Sequence, residues 1–193
     1  MNASKELPQL RMVWPKNLMG QDLGYHPPTG YKLRLYQSGD EERFFEIMSL
    51  AGWEGWNQET LSPWLAKIIP DGWFMVIKEE NKQIVCTAMA LHNYKGSYPF
   101  WGELGWLASD PSHSGKGLGL VASAAVTECL MDAGYRNIQL FTEDFRLPAI
   151  KTYLRLGYIP SIYEEVMIER WKEICQSINW PFSPSNWDKV EDA

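Results

Sequence analysis

The sequence has few of the residues that hold metal ions or build disulfide frameworks. Its 193 residues include three cysteines, Cys86, Cys129 and Cys175, and three histidines. The cysteines stand far apart inside apolar segments, and no pair of cysteines or histidines has the spacing of a zinc site. We therefore expect reduced, buried thiols in a cytoplasmic protein that holds no metal, and the pattern disfavours a catalytic cysteine.

A basic cluster and a long apolar run are also lacking. The 24 acidic and 18 basic residues give a formal net charge of -6, which disfavours nucleic acid as a partner. No apolar run approaches the length of a membrane span, and the first residues do not resemble a signal peptide. We expect no membrane partner and a monomer or homodimer.

What is present predicts one domain with extensions at both ends. Residues 1–30 combine prolines and glycines without a sustained period, which predicts an irregular N-terminal arm. Residues 31–163 carry alternating strand and helix patterns, including an antiparallel hairpin over 73–91. Residues 164–193 predict a C-terminal helix over 165–178 and then a loosely held tail.

A glycine-rich turn between a strand and a long helix is the most informative stretch. Gly115, Gly117 and Gly119 alternate with Lys116 and Leu118. Several backbone N–H groups there can approach a ligand without interference from Cβ atoms, at the electropositive start of a helix. The turn suits a diphosphate, although a tight connection without a ligand remains an alternative at this stage.

Two common nucleotide motifs do not fit this turn. A Walker A loop needs Ser or Thr after its Gly-Lys pair, whereas Gly117 follows Lys116. A dinucleotide fingerprint needs two residues between its last glycines, and here there is one. The spacing therefore argues against a nucleotide hydrolase.

Three segments in order resemble the GNAT superfamily of acyl-CoA-dependent N-acyltransferases. They are Leu107-Ala-Ser-Asp-Pro, then Gly115-Lys-Gly-Leu-Gly, then the stretch from Asp144 to Tyr158. The resemblance covers about residues 31–160. It implies an α/β (α+β) fold with a mixed, mainly antiparallel twisted sheet flanked by helices, to which this chain adds a C-terminal helix.

The resemblance also implies where acetyl-CoA lies. The strand ending near Ser109 would splay from the strand 137–142, and acetyl-CoA would occupy the opening. The residues implied in its binding are Leu107, Ala108 and Ser109 for the pantetheine arm, Ser114, Gly115, Lys116, Gly117, Leu118 and Gly119 for the diphosphate, and Arg146. The family usually carries Arg or Gln where Ser114 stands and often Asn where Arg146 stands. A phosphate-facing side chain would then be missing at Ser114, and Lys116, Arg146 or Arg155 would compensate for it with a positive charge.

Transfer of an acyl group to an amine needs a base, an oxyanion donor and a proton for the departing thiolate. Tyr153 occupies the position where the family often keeps a tyrosine near the thioester sulfur, and it is the candidate acid; a buried core aromatic is the alternative. Glu103 is the candidate base, although strand alternation allows its side chain to face solvent instead. A backbone N–H of the splayed strand would serve the oxyanion.

The acceptor is expected to meet Trp53, Glu54 and Trp56, unless the two tryptophans merely cover the core. The loops 52–57 and 92–99 and the N-terminal arm are where acceptor specificity is expected. The leading function is an N-acetyltransferase that acts on an amine of a small molecule or peptide. The alternative is a catalytically silent acyl-CoA-binding module that senses a metabolite or binds a protein partner.

Overall fold

The computed structural model describes residues 7–92 and 100–189. In these residues the chain forms one sheet of eight strands and five α-helices. The strands are β1 (Leu10–Val13), β2 (Tyr31–Leu35), β3 (Ile68–Lys78), β4 (Ile84–His92), β5 (Trp101–Ser109), β6 (Asn137–Thr142), β7 (Ile159–Ile162) and β8 (Asp188–Lys189). The helices are α1 (Glu41–Leu50), α2 (Gln58–Leu65), α3 (Leu118–Asp132), α4 (Leu147–Leu156) and α5 (Val166–Ser177).

The sheet is mixed and mainly antiparallel, which confirms the predicted fold class. Its strand order is β2-β3-β4-β5-β6-β1-β7-β8. Two neighbouring pairs, β5 with β6 and β7 with β8, are parallel, and the others are antiparallel. The predicted hairpin is β3 with β4, and the predicted C-terminal helix is α5. None of the helices in the described ranges is long and apolar enough to cross a bilayer.

Two hydrophobic clusters cover opposite faces of the sheet. Ala88 and Ala90 of β4 belong to the cluster that also contains buried residues of α3, α4 and α5. The alternate residues Met89 and Leu91 belong to the cluster that contains residues of α1 and α2. Because successive side chains of a strand point to opposite faces, the helices form two layers around the sheet.

The predictions of an irregular N-terminal arm and a loosely held C-terminal tail were both incomplete. Residues 1–30 contain β1, which lies inside the sheet between β6 and β7. Leu10 and Met12 of this strand are fully buried, but four residues are too short to give a clear period. In the tail, β8 pairs with β7, and the Trp187 ring lies 5.9 Å from that of Trp171.

The feature that positions the site is the separation of β5 from β6. The two strands pair only at Trp101, Gly102 and Glu103. Farther along, β5 bulges against β4, and Trp106 adopts a left-handed backbone with φ of 51°. A bulge bends its strand and increases the local twist, so the rest of β5 turns away from β6. This confirms the predicted splay and leaves the β6-facing N–H groups of β5 without a strand partner.

Candidate active site

The glycine turn ahead of α3 has the backbone that an anion site requires. Gly115 and Gly117 have φ of 75° and 76°, a region that favours glycine. A Cβ at either position would meet no atom within 4 Å, so their backbones face open space. Across residues 7–92 and 100–189, no protein acceptor binds the N–H groups of residues 115–119. These donors are available to a ligand.

A groove of about 390 Å³, which we call the glycine groove, runs from this turn to α4. Four basic or titratable side chains line it: His113, Lys116, Lys151 and Arg155. Among the described lining residues there is no carboxylate. In a chain with a net charge of -6, this local excess of cations suits a polyanion.

A smaller cavity of about 70 Å³, the central cavity, lies where β5 and β6 part. Leu107 and Ala149 line both the central cavity and the glycine groove, so the two are neighbours along one path. A molecule with an anionic end in the glycine groove can therefore extend toward the central cavity. The diphosphate and pantetheine arm of an acyl-CoA have this form.

The two predicted catalytic side chains both line the central cavity. Glu103 of β5 is 3% exposed, and Tyr153 of α4 is 6% exposed. Burial raises the pKa of the Tyr153 hydroxyl above its ordinary value, so this hydroxyl keeps its proton at neutral pH. The carboxyl group of Glu103 and a protonated phenol thus line one cavity.

Aromatic rings cover one side of this cavity. Trp53 lines it, and the rings of Trp53, Trp56 and Trp64 each meet Trp106 edge to face at 5.2, 4.6 and 4.7 Å. Edge-to-face contact is a preferred geometry of aromatic pairs. Three tryptophan rings thus pack around Trp106, whose backbone is left-handed, and both Trp53 and Trp106 line the cavity.

A polar cluster, of which the sequence had indicated only Arg146, completes the lining. Glu143, the residue after β6, accepts hydrogen bonds from Gln9 Nε2 at 2.7 Å and from Arg146 Nε at 2.6 Å. The Arg146 guanidinium also stacks on Trp53, with Cζ 3.7 Å from the ring centroid. Gln9, Glu143 and Arg146 all line the cavity. The position of Glu143 directly after the splayed strand was the available signal for it.

Two further polar atoms of the lining residues are buried without a partner. They are Trp53 Nε1 and Thr142 Oγ1, and within the described parts of the chain neither forms a hydrogen bond. Leaving such atoms unpaired costs free energy. A bound molecule with polar groups can satisfy them.

Not every predicted site residue reaches the place expected for it. Glu54 is exposed and does not line the central cavity, and Trp56 reaches this region only through Trp106. Arg146 lies at the central cavity on Trp53 and does not line the glycine groove. The Ala108 side chain is buried in the cluster with α1, which leaves only its backbone for a ligand. Segment 93–99 lies outside the described residues.

The other residues predicted for the diphosphate and pantetheine arm line the glycine groove together. They are Leu107, Ser109, Ser114, Gly115, Lys116, Gly117, Leu118 and Gly119. Lys151 also lines the groove and was missed, because one lysine on a helix carries no pattern of its own.

Comparison with known proteins identifies the family. The model of the Acetyltransferase (GNAT) family matches residues 35–158, and this chain belongs to that family. Members of the family use acetyl-CoA as co-substrate and an amine as acceptor. The match spans α1 to α4 and thus all the described lining residues of both cavities except Gln9.

Curated relatives match a similar part of the chain. A mycothiol acetyltransferase of Segniliparus rotundus is 30% identical over 139 residues, which are 68% of this chain and 52% of that protein. A second protein of that name, from Rhodococcus erythropolis, is 28% identical and matches over 68% of this chain and 47% of its own. The chain thus spans about half the length of the curated relatives it matches.

Solved structures share the fold at lower identity. A GCN5-related N-acetyltransferase from Sphaerobacter thermophilus has a TM-score of 0.56 and 22% identity, over 79% of this chain and 49% of its own. The ribosomal-protein-S18-alanine N-acetyltransferase from Escherichia coli has a TM-score of 0.52 and 18% identity, over 66% of this chain and 76% of its own. These likenesses support the GNAT architecture of the sheet and helices.

Proposed function

We propose that this chain transfers an acetyl group from acetyl-CoA directly to an amine of a small molecule or peptide. One observation carries the proposal: Glu103 and Tyr153 line the same buried cavity, and that cavity adjoins a cationic groove headed by free backbone N–H groups. The family match supplies the donor class. The residues present fit an acyl-CoA, since the groove offers backbone donors and cations without a lining carboxylate.

When bound, acetyl-CoA supplies a thioester whose carbonyl carbon accepts the amine. Glu103 removes a proton from the ammonium form of the acceptor, directly or through a water, and leaves the nitrogen lone pair free to attack. A backbone N–H of the unpaired half of β5 stabilises the negative charge that develops on the carbonyl oxygen. As the new C–N bond forms and the C–S bond breaks, the Tyr153 hydroxyl gives its proton to the sulfur. The second proton that the attacking nitrogen loses returns to the Tyr153 oxygen, so the product is a neutral amide and the tyrosine is regenerated.

Acceptor recognition in this proposal involves both aromatic and polar side chains. Trp53 offers a flat wall, and Glu143 and Arg146 offer an acceptor and donors of hydrogen bonds at the edge of the same cavity. We infer an acceptor that carries polar groups next to its amine. Such groups would also satisfy the buried Trp53 Nε1 and Thr142 Oγ1 atoms.

Calorimetric titration with acetyl-CoA tests the donor, with desulfo-CoA and ATP as comparison ligands. A screen of amines, read by release of free thiol, then tests the transfer. Acceptors related to mycothiol belong in that screen because of the names of the curated relatives. Failure to bind acetyl-CoA would overturn the proposal. Tight binding without thiol release for any amine would favour the alternative, a silent acyl-CoA-binding module.

A further inference from the structure

A hydrogen-bonded chain of three side chains stands beside the glycine turn. Lys116 Nζ donates to the Tyr31 hydroxyl at 2.8 Å, and the Tyr31 oxygen lies 2.7 Å from His113 Nδ1. Tyr31 comes from the edge strand β2, whereas His113 and Lys116 belong to the segment between β5 and α3. His113 and Lys116 also line the glycine groove.

The donor pattern of these three side chains fits a neutral His113. A lysine ammonium has only donors, so the Tyr31 oxygen accepts from Lys116. With the single Tyr31 proton directed at His113 Nδ1, the ring accepts it and carries its own proton on Nε2. We assign this neutral tautomer to the ring because it matches the lowered pKa of His113.

The charges around His113 favour the neutral form when the groove is empty of anions. Burial is the main cause that lowers the pKa of His113, followed by Lys116. Asp110 acts in the opposite direction, and Lys78 and Arg43 add to the lowering. The groups that face the ring from all elements packed against it are Tyr31, Arg43, Lys78, Asp110 and Lys116.

We propose that the diphosphate of acyl-CoA is bound with uptake of a proton by His113, so that His113 and Lys116 together compensate for the phosphate-facing side chain missing at Ser114. The inference rests on the proposed function, because it assumes that the diphosphate occupies the glycine turn. The anion draws the Lys116 ammonium away from Tyr31. The Tyr31 oxygen is then free to accept from a protonated Nδ1, and the Nε2–H of the imidazolium faces the groove with a positive charge.

The direction of the pH dependence follows from linkage. A group whose pKa is higher in the complex than in the free protein takes up protons on binding. The affinity for the diphosphate therefore rises as the pH falls from about 8 to about 6, the range in which a histidine titrates. A structural role of His113 alone would give no such slope.

Proton uptake is measured by calorimetric titration at about pH 7 in two buffers of different ionisation enthalpy. The probe is 3′-dephospho-CoA, because the 3′-phosphate of CoA titrates near pH 6 itself and would add its own protons. The wild-type protein is expected to take up a fraction of a proton, and His113→Gln none. His26→Gln, at an exposed histidine outside the groove, is the matched control and should keep the wild-type uptake.

Lys116→Gln is expected to weaken binding of 3′-dephospho-CoA roughly tenfold, since it removes a charge-assisted contact. Lys32→Gln removes the same charge at an exposed position of β2 and should leave the affinity unchanged. Absence of proton uptake in the wild type, or equal uptake in His113→Gln, would overturn the inference while the proposed function stands.

A parallel titration with CoA shows whether the diphosphate or the 3′-phosphate causes the proton uptake. Uptake at His113 with CoA but not with 3′-dephospho-CoA would overturn the assignment to the diphosphate and point to the 3′-phosphate instead. If neither ligand binds, the proposed function is overturned, and this inference with it.

Discussion

The glycine groove and the central cavity are neighbours but are built in different ways. The groove takes its donors from the backbone of one continuous segment, residues 115–119, at the head of α3. The cavity takes its polar groups from side chains far apart in the chain, including Gln9, Glu103 and Glu143. A backbone site tolerates many neighbouring side chains, whereas a side-chain site changes with each substitution.

This difference matches the two tasks of an acetyltransferase. The donor is common to the family, and a glycine turn with free N–H groups at the start of a helix suits its diphosphate. The acceptor differs between enzymes, and residues on loops and strand ends can vary without disturbing the scaffold. In this chain Trp53 and Arg146 stack at the cavity edge, where such variation would change the acceptor.

The largest effect is expected when the backbone site receives a negative charge. Gly117→Asp should weaken acetyl-CoA binding by more than about a hundredfold, because a carboxylate beside the diphosphate adds like-charge repulsion. Calorimetric titration measures this change. Gly20 has the same φ of 76° and open surroundings but lies outside the groove, so Gly20→Asp controls for backbone strain and added charge. Equal losses in both variants would contradict the binding role of the turn.

Tyr153→Phe is expected to lower kcat about a hundredfold with little change in the KM for acetyl-CoA, because general-acid catalysis is lost while the cavity shape is kept. Steady-state kinetics with any acceptor found in the screen measures this. Tyr158→Phe is the matched control: its hydroxyl is equally buried and lies 3.0 Å from Thr127 Oγ1. It should cost about 1 kcal/mol of stability and leave kcat unchanged. An unchanged kcat in Tyr153→Phe would exclude it as the acid.

Much of the fold could be predicted because local pattern and topology agree. The alternation around Trp73–Leu91 and the long helix from Leu118 are both signals within short windows. The strand β1 was missed because four buried residues show no period, and only its partners β6 and β7 define it. Long-range pairing of this kind leaves no local trace.

The same contrast between local and long-range signals explains which of the predicted residues line the two cavities. The predicted groove residues stand next to one another in the sequence, so the glycine-rich motif alone indicates them. Glu54 was predicted beside the acceptor because it follows Trp53, yet its side chain is exposed, and Glu143 lines the cavity instead. Neighbours along a loop face different directions, and the sequence alone does not show which one faces inward.

Glu143 lines the cavity where Glu54 was predicted to meet the acceptor, so we expect a moderate effect on the KM for the acceptor when Glu143 is replaced. Glu143→Gln should raise the KM for a basic acceptor about tenfold and affect a neutral acceptor much less, since a charge-assisted contact is lost. Glu54→Gln should leave both KM values unchanged. The two variants remove the same charge from a partly buried site and from an exposed one. A larger effect of Glu54→Gln would restore the original prediction and remove Glu143 from acceptor binding.

The smallest effect concerns the anchor of the turn. Asp110 follows β5, accepts bonds from the Ser112 N–H and Oγ at 3.0 and 2.6 Å, and pairs with Arg43 at 2.6 Å. These contacts lower the pKa of Asp110 to about 2, and the hydrogen bond from Ser112 contributes most. The carboxylate therefore contributes stability at neutral pH that is lost as the pH falls below about 4 toward 2.

Asp110→Asn should reduce the free energy of unfolding by about 1–2 kcal/mol at neutral pH. It should also make the free energy of unfolding depend less on pH below about 4. Denaturant unfolding at several pH values measures both changes. The Arg34–Asp40 pair, also at 2.6 Å, provides a matched control at the start of α1. Asp40→Asn should cost similar stability without changing acetyl-CoA affinity, whereas Asp110→Asn should weaken it about threefold by loosening the turn. If both variants bind acetyl-CoA like the wild type, the turn keeps its shape without Asp110, and Asp110 has no part in the donor site.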